Sequence, residues 1–243
     1  MKMKVNGLEI DVEYSTSEQE DVLIPLLDQL VTLKEKTDRR IVVYLAAPPG
    51  TGKTTLSQYL EKLHKDRAYP FTFQSISIDG FHFDRAYLAE HKALINGEAV
   101  FLKEVKGSPE SFDFRSLKRC LSLLKQSEMI EWPIYDRKLH DVSSERLRVD
   151  GDIVLVEGNW LLLDEPGWRD LKQMADLSVF IEAGEAVLEP RLIQRKMMGG
   201  LSKEAAVAFY KNSDQKNVRR VLEHHSEPDI YWRMQKEGTL KKD

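Results

Sequence analysis

Residues 41–56, IVVYLAAPPGTGKTTL, constrain the fold of this chain more than any other stretch. Seven apolar residues run without interruption and then meet the turn-forming sequence Pro48-Pro49-Gly50. The residues from Lys53 onward have the spacing of an amphipathic helix. An apolar run of strand length that leads through a tight turn into a helix indicates one strand, loop and helix unit of an α/β fold.

The turn in this stretch has the spacing of a phosphate-binding loop, the Walker A pattern, except that Ala47 stands at the first glycine position. In such a loop the backbone amides and the helix N-terminus bind phosphate oxygens. Lys53 should reach the β- and γ-phosphates, and the Thr54 hydroxyl can ligate Mg²⁺. An ordinary turn that contains Gly-Lys-Thr by chance is the alternative, but the strand and helix on either side favour the motif. The predicted ATP-binding residues are Ala47, Pro48, Pro49, Gly50, Thr51, Gly52, Lys53, Thr54 and Thr55.

Length and composition favour a single domain. A chain of 243 residues that is 42% hydrophobic can bury a large core. The net charge of −4 gives no overall attraction to nucleic acid or to an anionic membrane, and we expect neither as a partner. Cys120 is the only cysteine, which excludes an intrachain disulfide and a Cys₂ zinc site. Neither a secretory signal nor a run of about 18 apolar residues is visible, so a cytoplasmic location is expected.

Strand and helix patterns alternate along the chain, which predicts a three-layer α/β fold with a doubly wound, mainly parallel sheet. The predicted strands are 41–46, 71–78, 153–156, 177–182 and 229–234, with a short extended piece at 132–135 before a polar loop at 136–141. The predicted helices are 53–64, 84–94, 113–124, 190–198, 202–210 and 214–223. Within one domain of residues 1–243, we expect residues 1–37 to be an extension and residues 190–212 to be a lid. The extension would consist of a β-hairpin that turns at Asn6-Gly7 and an outer helix.

Two acidic residues directly follow predicted strands. Asp79 comes after the strand at 71–78, and Glu157 comes after the apolar run at 153–156. Ligands of open parallel sheets bind beyond the carboxyl ends of the strands, so both acids should lie near the phosphate loop. Asp79 is then placed to accept a proton from an attacking hydroxyl, and Glu157 to ligate Mg²⁺. A capping role in the turn at Gly80 is the alternative for Asp79.

Two arginines mark the predicted lid. Arg191 and Arg195 are four residues apart, so both guanidinium groups project from one face of their helix. Gly199-Gly200 follows, which favours a segment that moves and closes basic groups over phosphates. An exposed polar face is the alternative. We predict catalytic roles for both arginines, together with Lys53 and Asp79.

Together these motifs resemble a known family, the P-loop kinases that include uridine kinase, phosphoribulokinase and bacterial type I pantothenate kinase. The resemblance spans about residues 40–235. The stretch 106–113 is most similar to pantothenate kinase, whereas DGFH and VEGNWLLLDEPGW are most similar to an uncharacterised or sugar-linked branch that includes a kinase encoded with fructose transport. The motifs that carry the resemblance are the phosphate loop, IDGFH at 78–82, KGSPESFD at 106–113, PIY at 133–135 and VEGN at 156–159.

The resemblance implies that Asp79 is the general base and that Arg191 and Arg195 belong to the lid. It implies ATP and Mg²⁺ as cofactors. The Mg²⁺ site that it implies consists of Thr54, Asp79 and Glu157.

The resemblance also places the acceptor near Tyr135 and His140. Gly107-Ser108 stand where uridine kinases have an aspartate for the ribose, and Arg137 lies in a loop that is less basic in those enzymes. Both departures count against a nucleoside acceptor. For each of the two histidines, a surface position or a fully hydrogen-bonded one is the alternative to substrate contact. The predicted substrate-contacting residues are His82, Tyr135, Arg137 and His140.

These observations predict an enzyme that transfers the γ-phosphate of ATP to a hydroxyl group of a small molecule, which would be a sugar, a nucleoside or a compound like pantothenate. A pantothenate kinase proper is one alternative. A nucleotide-binding regulator with little catalysis is the other. The N-terminal hairpin offers a strand edge through which two copies of the chain could pair as a homodimer.

Overall fold

The computed structural model describes residues 2–5, 8–95 and 97–242. Its strands are β1 Lys2–Val5, β2 Leu8–Asp11, β3 Ile41–Ala46, β4 Phe73–Ser77, β5 Lys92–Ile95, β6 Glu98–Phe101, β7 Ile130–Asp136, β8 Asp141–Val149, β9 Ile153–Gly158, β10 Leu177–Glu182, β11 Ile230–Met234 and β12 Leu240–Lys242. Its helices are α1 Thr16–Glu18, α2 Ile24–Glu35, α3 Lys53–Asp66, α4 Arg85–Glu90, α5 Phe114–Leu124, α6 Glu185–Met198, α7 Lys203–Phe209 and α8 Gln215–Glu223.

The central sheet has six strands in the order β12, β11, β10, β3, β9, β4. Neighbouring strands are parallel except for β11 and β12, which are antiparallel. β3 therefore lies in the middle of the sheet, with β9 beside it and β4 at the edge. This arrangement confirms the predicted doubly wound, mainly parallel sheet.

The side chains of β3 explain why helices cover both faces of the sheet. All six residues of this strand are buried. Its odd-numbered residues pack into one hydrophobic core with Leu27 of α2, Leu60 of α3 and Leu188 of α6. Its even-numbered residues pack into a second core with Leu117 of α5. A strand that is apolar on both faces requires such a three-layer arrangement, because each face must be removed from water.

The N-terminal extension packs against this sheet. β1 and β2 pair in an antiparallel hairpin as predicted, while the predicted turn residues Asn6-Gly7 lie outside the described residues. α1, a π-helical turn at Gln19–Leu23 and α2 follow one another without a break. Leu27 and Leu30 are fully buried in the same core as β3. Glu18 Oε1 also accepts a hydrogen bond of 2.9 Å from the backbone N–H of Leu240.

The predicted helix at 84–94 is wrong in its second half. α4 ends at Glu90, His91 has an extended backbone, and β5 then pairs with β6 in an antiparallel hairpin. Gly97, with a φ of +86°, lies in the connection between the two strands. The Asn-Gly pair at 96–97 is a strong hairpin signal that the helical interpretation overlooked.

The region around the predicted polar loop at 136–141 is also more regular than predicted. β7 contains the predicted extended piece at 132–135, and it pairs with β8, a strand that the sequence interpretation missed. Most side chains of β8 are exposed or only partly buried, so this strand lacks the apolar alternation by which strands are recognised. The short β12 was missed as well.

The first helix of the predicted lid begins earlier than expected. α6 starts at Glu185, and Pro190 lies inside it. The predicted helix at 190–198 therefore covers only the second part of α6, and its first residue, Pro190, is an interior residue. Among the described residues, no helix is both long enough and apolar enough to cross a membrane.

The contact between β9 and the turn after β4 gives a test of the packing. A Cβ atom at Gly158 would lie 2.4 Å from both Cδ1 and Cγ1 of the fully buried Ile78. We expect Gly158→Ala to lower the free energy of unfolding by about 1–3 kcal/mol, measured by urea denaturation. In an Ile78→Ala background the clashing atoms are absent, and the added cost of Gly158→Ala should largely disappear. An equal cost in both backgrounds would contradict this packing.

Candidate active site

The phosphate loop connects β3 to α3. Gly50 and Gly52 have φ values of +90° and +87°, which side chains with a Cβ atom rarely adopt. Gly52 occupies the N-cap position of α3, and no side chain caps the helix there. The first amide groups of α3 are thus left for an anion. Ala47 is fully buried and does not have a positive φ, which explains why alanine is tolerated at the first glycine position.

Lys53 lies at the centre of this loop. Its Nζ donates hydrogen bonds to the Pro48 carbonyl at 3.1 Å and to Oδ1 of Asn159 at 2.6 Å. Burial lowers the pKa of the Lys53 ammonium to about 8, and the nearby Glu157 and Asp79 partly oppose that shift. Both partners of Lys53 are neutral oxygen atoms, so its charge remains available to a phosphate. Asn159 was not predicted, although it lies in the VEGN motif directly after β9.

Glu157 lies between the phosphate loop and Asp79, because β9 separates β3 from β4. Glu157 is 4% exposed, and its Oε1 accepts a hydrogen bond of 2.8 Å from the Thr54 hydroxyl. Burial raises the pKa of the Glu157 carboxyl, and the negative charge of Asp79 raises it further. A hydroxyl and a carboxylate in direct contact beside a phosphate loop are oxygen ligands of the kind that Mg²⁺ prefers. Thr54 and Glu157 are therefore suitable ligands for the predicted Mg²⁺.

Asp79 lies in a single 3₁₀ turn that follows β4. The Ser77 hydroxyl, and not the Asp79 carboxylate, caps this turn, so the capping alternative does not describe the structure. The Asp79 carboxylate instead forms an ion pair with the guanidinium of Arg137. Burial by itself would raise the pKa of Asp79, but Arg137, His82 and Lys53 lower it further than burial raises it. The carboxylate is therefore ionised at neutral pH.

A group of aromatic and basic side chains surrounds Tyr135, and we call it the Tyr135 cluster. The His82 ring lies 3.9 Å from the Phe112 ring and 5.6 Å from the Tyr135 ring, measured between centroids. The cationic groups of Lys106 and Arg137 lie 5.1 and 5.3 Å from the centre of the Tyr135 ring. The members of the cluster are His82, Lys106, Tyr135 and Arg137.

The structure brings three of the four predicted substrate residues together in this cluster. His140 differs, because it contributes its backbone carbonyl, which accepts a hydrogen bond of 2.9 Å from Lys106 Nζ. Lys106 was missed as a site residue, although it begins the KGSPESFD motif. Its proximity to Tyr135 depends on tertiary packing of the loop against the β7–β8 hairpin.

The two arginines of α6 reach different parts of the site. Arg191 Nε donates a hydrogen bond of 2.8 Å to the carbonyl of Gly50 in the phosphate loop. Leu192 is fully buried against the same glycine, where an added Cβ would lie 2.9 Å from Leu192 Cγ. Arg195 lies nearer to the acids and helps to lower the pKa of Asp79. α6 thus lies directly over the phosphate loop.

The central parallel sheet and the glycine-containing loop that follows β3 define a P-loop protein, and the acids at the ends of the two neighbouring strands are arranged as in a kinase. The model of the phosphoribulokinase / uridine kinase family matches residues 42–231. The chain belongs to this family of ATP-dependent kinases.

Individual relatives cover most of the chain. It is 39% identical over 239 residues to the Escherichia coli (strain K12) protein named "Uncharacterized protein YggC", covering 98% of this chain and 97% of that protein. It is 28% identical over 175 residues to a uridine kinase of Brevibacillus brevis, covering 71% and 74% of the two chains. Its fold matches the crystal structure of a "putative fructose transport system kinase" from Silicibacter sp. TM1040 with a TM-score of 0.76 and 33% identity, covering 87% of this chain and 98% of that one.

Lys53 provides a test of the nucleotide site. We expect Lys53→Met to weaken ATP binding by about 10- to 100-fold, because a charge-assisted hydrogen bond to phosphate is lost. Titration calorimetry with a non-hydrolysable ATP analogue would measure the dissociation constant. Lys62→Met on the same helix is the matched control, since Lys62 is exposed and pairs with Asp66. Equal dissociation constants for Lys53→Met and the wild type would contradict the assignment.

Proposed function

We propose that this protein transfers the γ-phosphate of ATP to a hydroxyl group of a small-molecule acceptor. One observation carries the proposal. The phosphate loop, Glu157 and Asp79 lie at the carboxyl ends of three adjacent parallel strands, β3, β9 and β4. A phosphate donor bound at the end of β3 and an acceptor bound at the end of β4 would meet beside Glu157 and Asp79. Membership of a kinase family supports the same conclusion.

On the donor side, the loop amides and Lys53 hold the triphosphate. Residues 190–212 act as the lid, and Arg191 and Arg195 bring positive charge to the phosphates as charge develops during transfer. Thr54, Asp79 and Glu157 would hold Mg²⁺, whose charge offsets that of the phosphate oxygens.

On the acceptor side, Asp79 is the general base. It takes the proton of the acceptor hydroxyl as the hydroxyl oxygen forms a bond to the γ-phosphorus. The bond between the γ-phosphorus and the bridging oxygen breaks at the same time, and ADP leaves. The lowered pKa of Asp79 keeps its carboxylate ionised and able to accept a hydrogen bond from the hydroxyl.

Asp79→Asn tests this role directly. We expect turnover to fall by about 10²- to 10⁴-fold, the usual contribution of a general base, while the variant still binds ATP. The assay is ADP release in the presence of fructose, fructose 6-phosphate, uridine, pantothenate or pantothenol. Asp66→Asn is the control, because Asp66 is an exposed acid whose partner is Lys62. Unchanged turnover in Asp79→Asn would overturn the assignment.

The same assay separates the alternatives. Turnover with pantothenate alone would identify a pantothenate kinase proper. ATP binding without stimulation of ADP release by any acceptor would favour a nucleotide-binding regulator and contradict the proposed function.

The proposed metal site has its own test. We expect Thr54→Val to raise the Mg²⁺ concentration needed for half-maximal ATP binding by about tenfold or more, because a ligand and the hydrogen-bond donor to Glu157 are both lost. The measurement is the Mg²⁺ dependence of ATP-analogue affinity. Thr32→Val is the control, since the Thr32 hydroxyl bonds only to the Asp28 carbonyl on an exposed helix surface. An identical Mg²⁺ dependence in the two variants would count against Thr54 as a ligand.

A further inference from the structure

We propose that the acceptor itself carries an anionic group, a phosphate or a carboxylate, and that Arg137 binds this group and releases Asp79 to the acceptor hydroxyl. The inference rests on the proposed function, because it assigns the substrate class of the same site. It makes Arg137 a residue that determines acceptor specificity.

The first observation is the ion pair between Arg137 and Asp79. A guanidinium donates strong, charge-assisted hydrogen bonds to the oxygen atoms of a carboxylate. An acceptor hydroxyl has to donate its hydrogen bond to that same carboxylate before its proton can be transferred. Arg137 and the acceptor hydroxyl therefore share this carboxylate, and an anion that draws Arg137 away leaves more of it to the hydroxyl. The Arg137 side chain is 40% exposed, so it can turn to a second anion that enters the site from solvent.

The second observation is the direction from which Arg137 approaches. Arg137 follows β7, and the β7–β8 hairpin packs against the turn at 78–81, where a Cβ atom at Gly80 would lie 2.0 Å from the Pro133 carbonyl oxygen. This hairpin contacts the end of β4, where Trp132 Nε1 donates a hydrogen bond of 2.8 Å to the Ser77 carbonyl. The phosphate loop follows β3, which is two strands away from β4 in the sheet. The triphosphate already has cations of its own in Lys53 and the arginines of α6. The anion that suits Arg137 is accordingly on the acceptor.

The third observation is a second cation beside Arg137. Lys106 and Arg137 both lie about 5 Å from the centre of the Tyr135 ring. Lys106 Nζ donates a hydrogen bond to the carbonyl of His140, a neutral group that does not cancel its charge. Two cations that share one aromatic ring, with Asp79 as the facing acid, leave an excess of positive charge. An acceptor with a phosphate or carboxylate would balance this excess.

The test compares matched pairs of probes that differ in charge: fructose 6-phosphate with fructose, and pantothenate with pantothenol. Inorganic phosphate is a fifth probe. Binding is measured by titration calorimetry with the phosphate loop already saturated by a non-hydrolysable ATP analogue and Mg²⁺, so that anions cannot bind there. We expect at least one anionic probe to bind the wild-type protein ten times or more tightly than its neutral counterpart.

Variants of Arg137 then locate the anion. We expect Arg137→Ala to weaken binding of that anionic probe by about 10- to 100-fold while the affinity for the neutral counterpart stays within about twofold. Arg137→Lys should retain part of the affinity, because it keeps the charge without the planar fork. Arg148→Ala is the matched control, since Arg148 lies at the far end of the same hairpin and pairs with Asp150. It should bind all probes like the wild type.

Each of the following binding results would overturn the inference. Neutral and anionic probes would bind the wild type equally, or none of the anionic probes would bind. Alternatively, Arg137→Ala would weaken the ATP analogue and leave the anionic probe unaffected, which would assign Arg137 to the γ-phosphate. A different result would reject the proposed function itself. If no acceptor stimulates ADP release, the proposed kinase activity is rejected, even if an anionic probe binds. If neutral acceptors are phosphorylated at a rate that does not depend on Arg137, the proposed kinase function stands and the proposed anion site is rejected.

Discussion

The parallel pairing of β3, β9 and β4 determines where the charged groups of the site lie. In this register Glu157 is opposite both Leu45 of β3 and Ser77 of β4. The carboxylate of Glu157 is therefore held between the phosphate loop and the turn that carries Asp79. A one-residue shift of β9 would turn Glu157 toward the other face of the sheet and separate it from Thr54.

Burying Glu157 has a free-energy cost, and the surrounding groups offset it. The Thr54 hydroxyl donates to this carboxylate, and the positive charge of Lys53 acts against the rise of its pKa. Lys53 is itself buried, and burial lowers the pKa of its ammonium. Each charge is tolerable because the other is near, which is the usual condition for buried ions. A bound triphosphate would give Lys53 an anionic partner, and a bound metal ion would give Glu157 a cationic one.

Much of the donor side could be predicted because its signals are local in the sequence. The loop at 47–54, the start of α3 and the acids after β4 and β9 all depend on residues that are close along the chain. The acceptor side was predicted less completely. Lys106 was missed there, and so was β8, because its exposed, charged residues have no apolar period. On the donor side, Asn159, the partner of Lys53, was missed. The contact between Arg137 and Asp79 joins residues that are 58 positions apart.

The sequence by itself determined the α/β class, the phosphate loop and the two acids, because apolar periodicity, glycine positions and strand ends are properties of short segments. The membership of the family follows from the same motifs. Only the tertiary structure decided that Arg137 pairs with Asp79, that Lys106 faces Tyr135 and that Arg191 contacts Gly50. These contacts depend on how the β7–β8 hairpin and α6 pack over the end of the sheet, and no short segment contains that information.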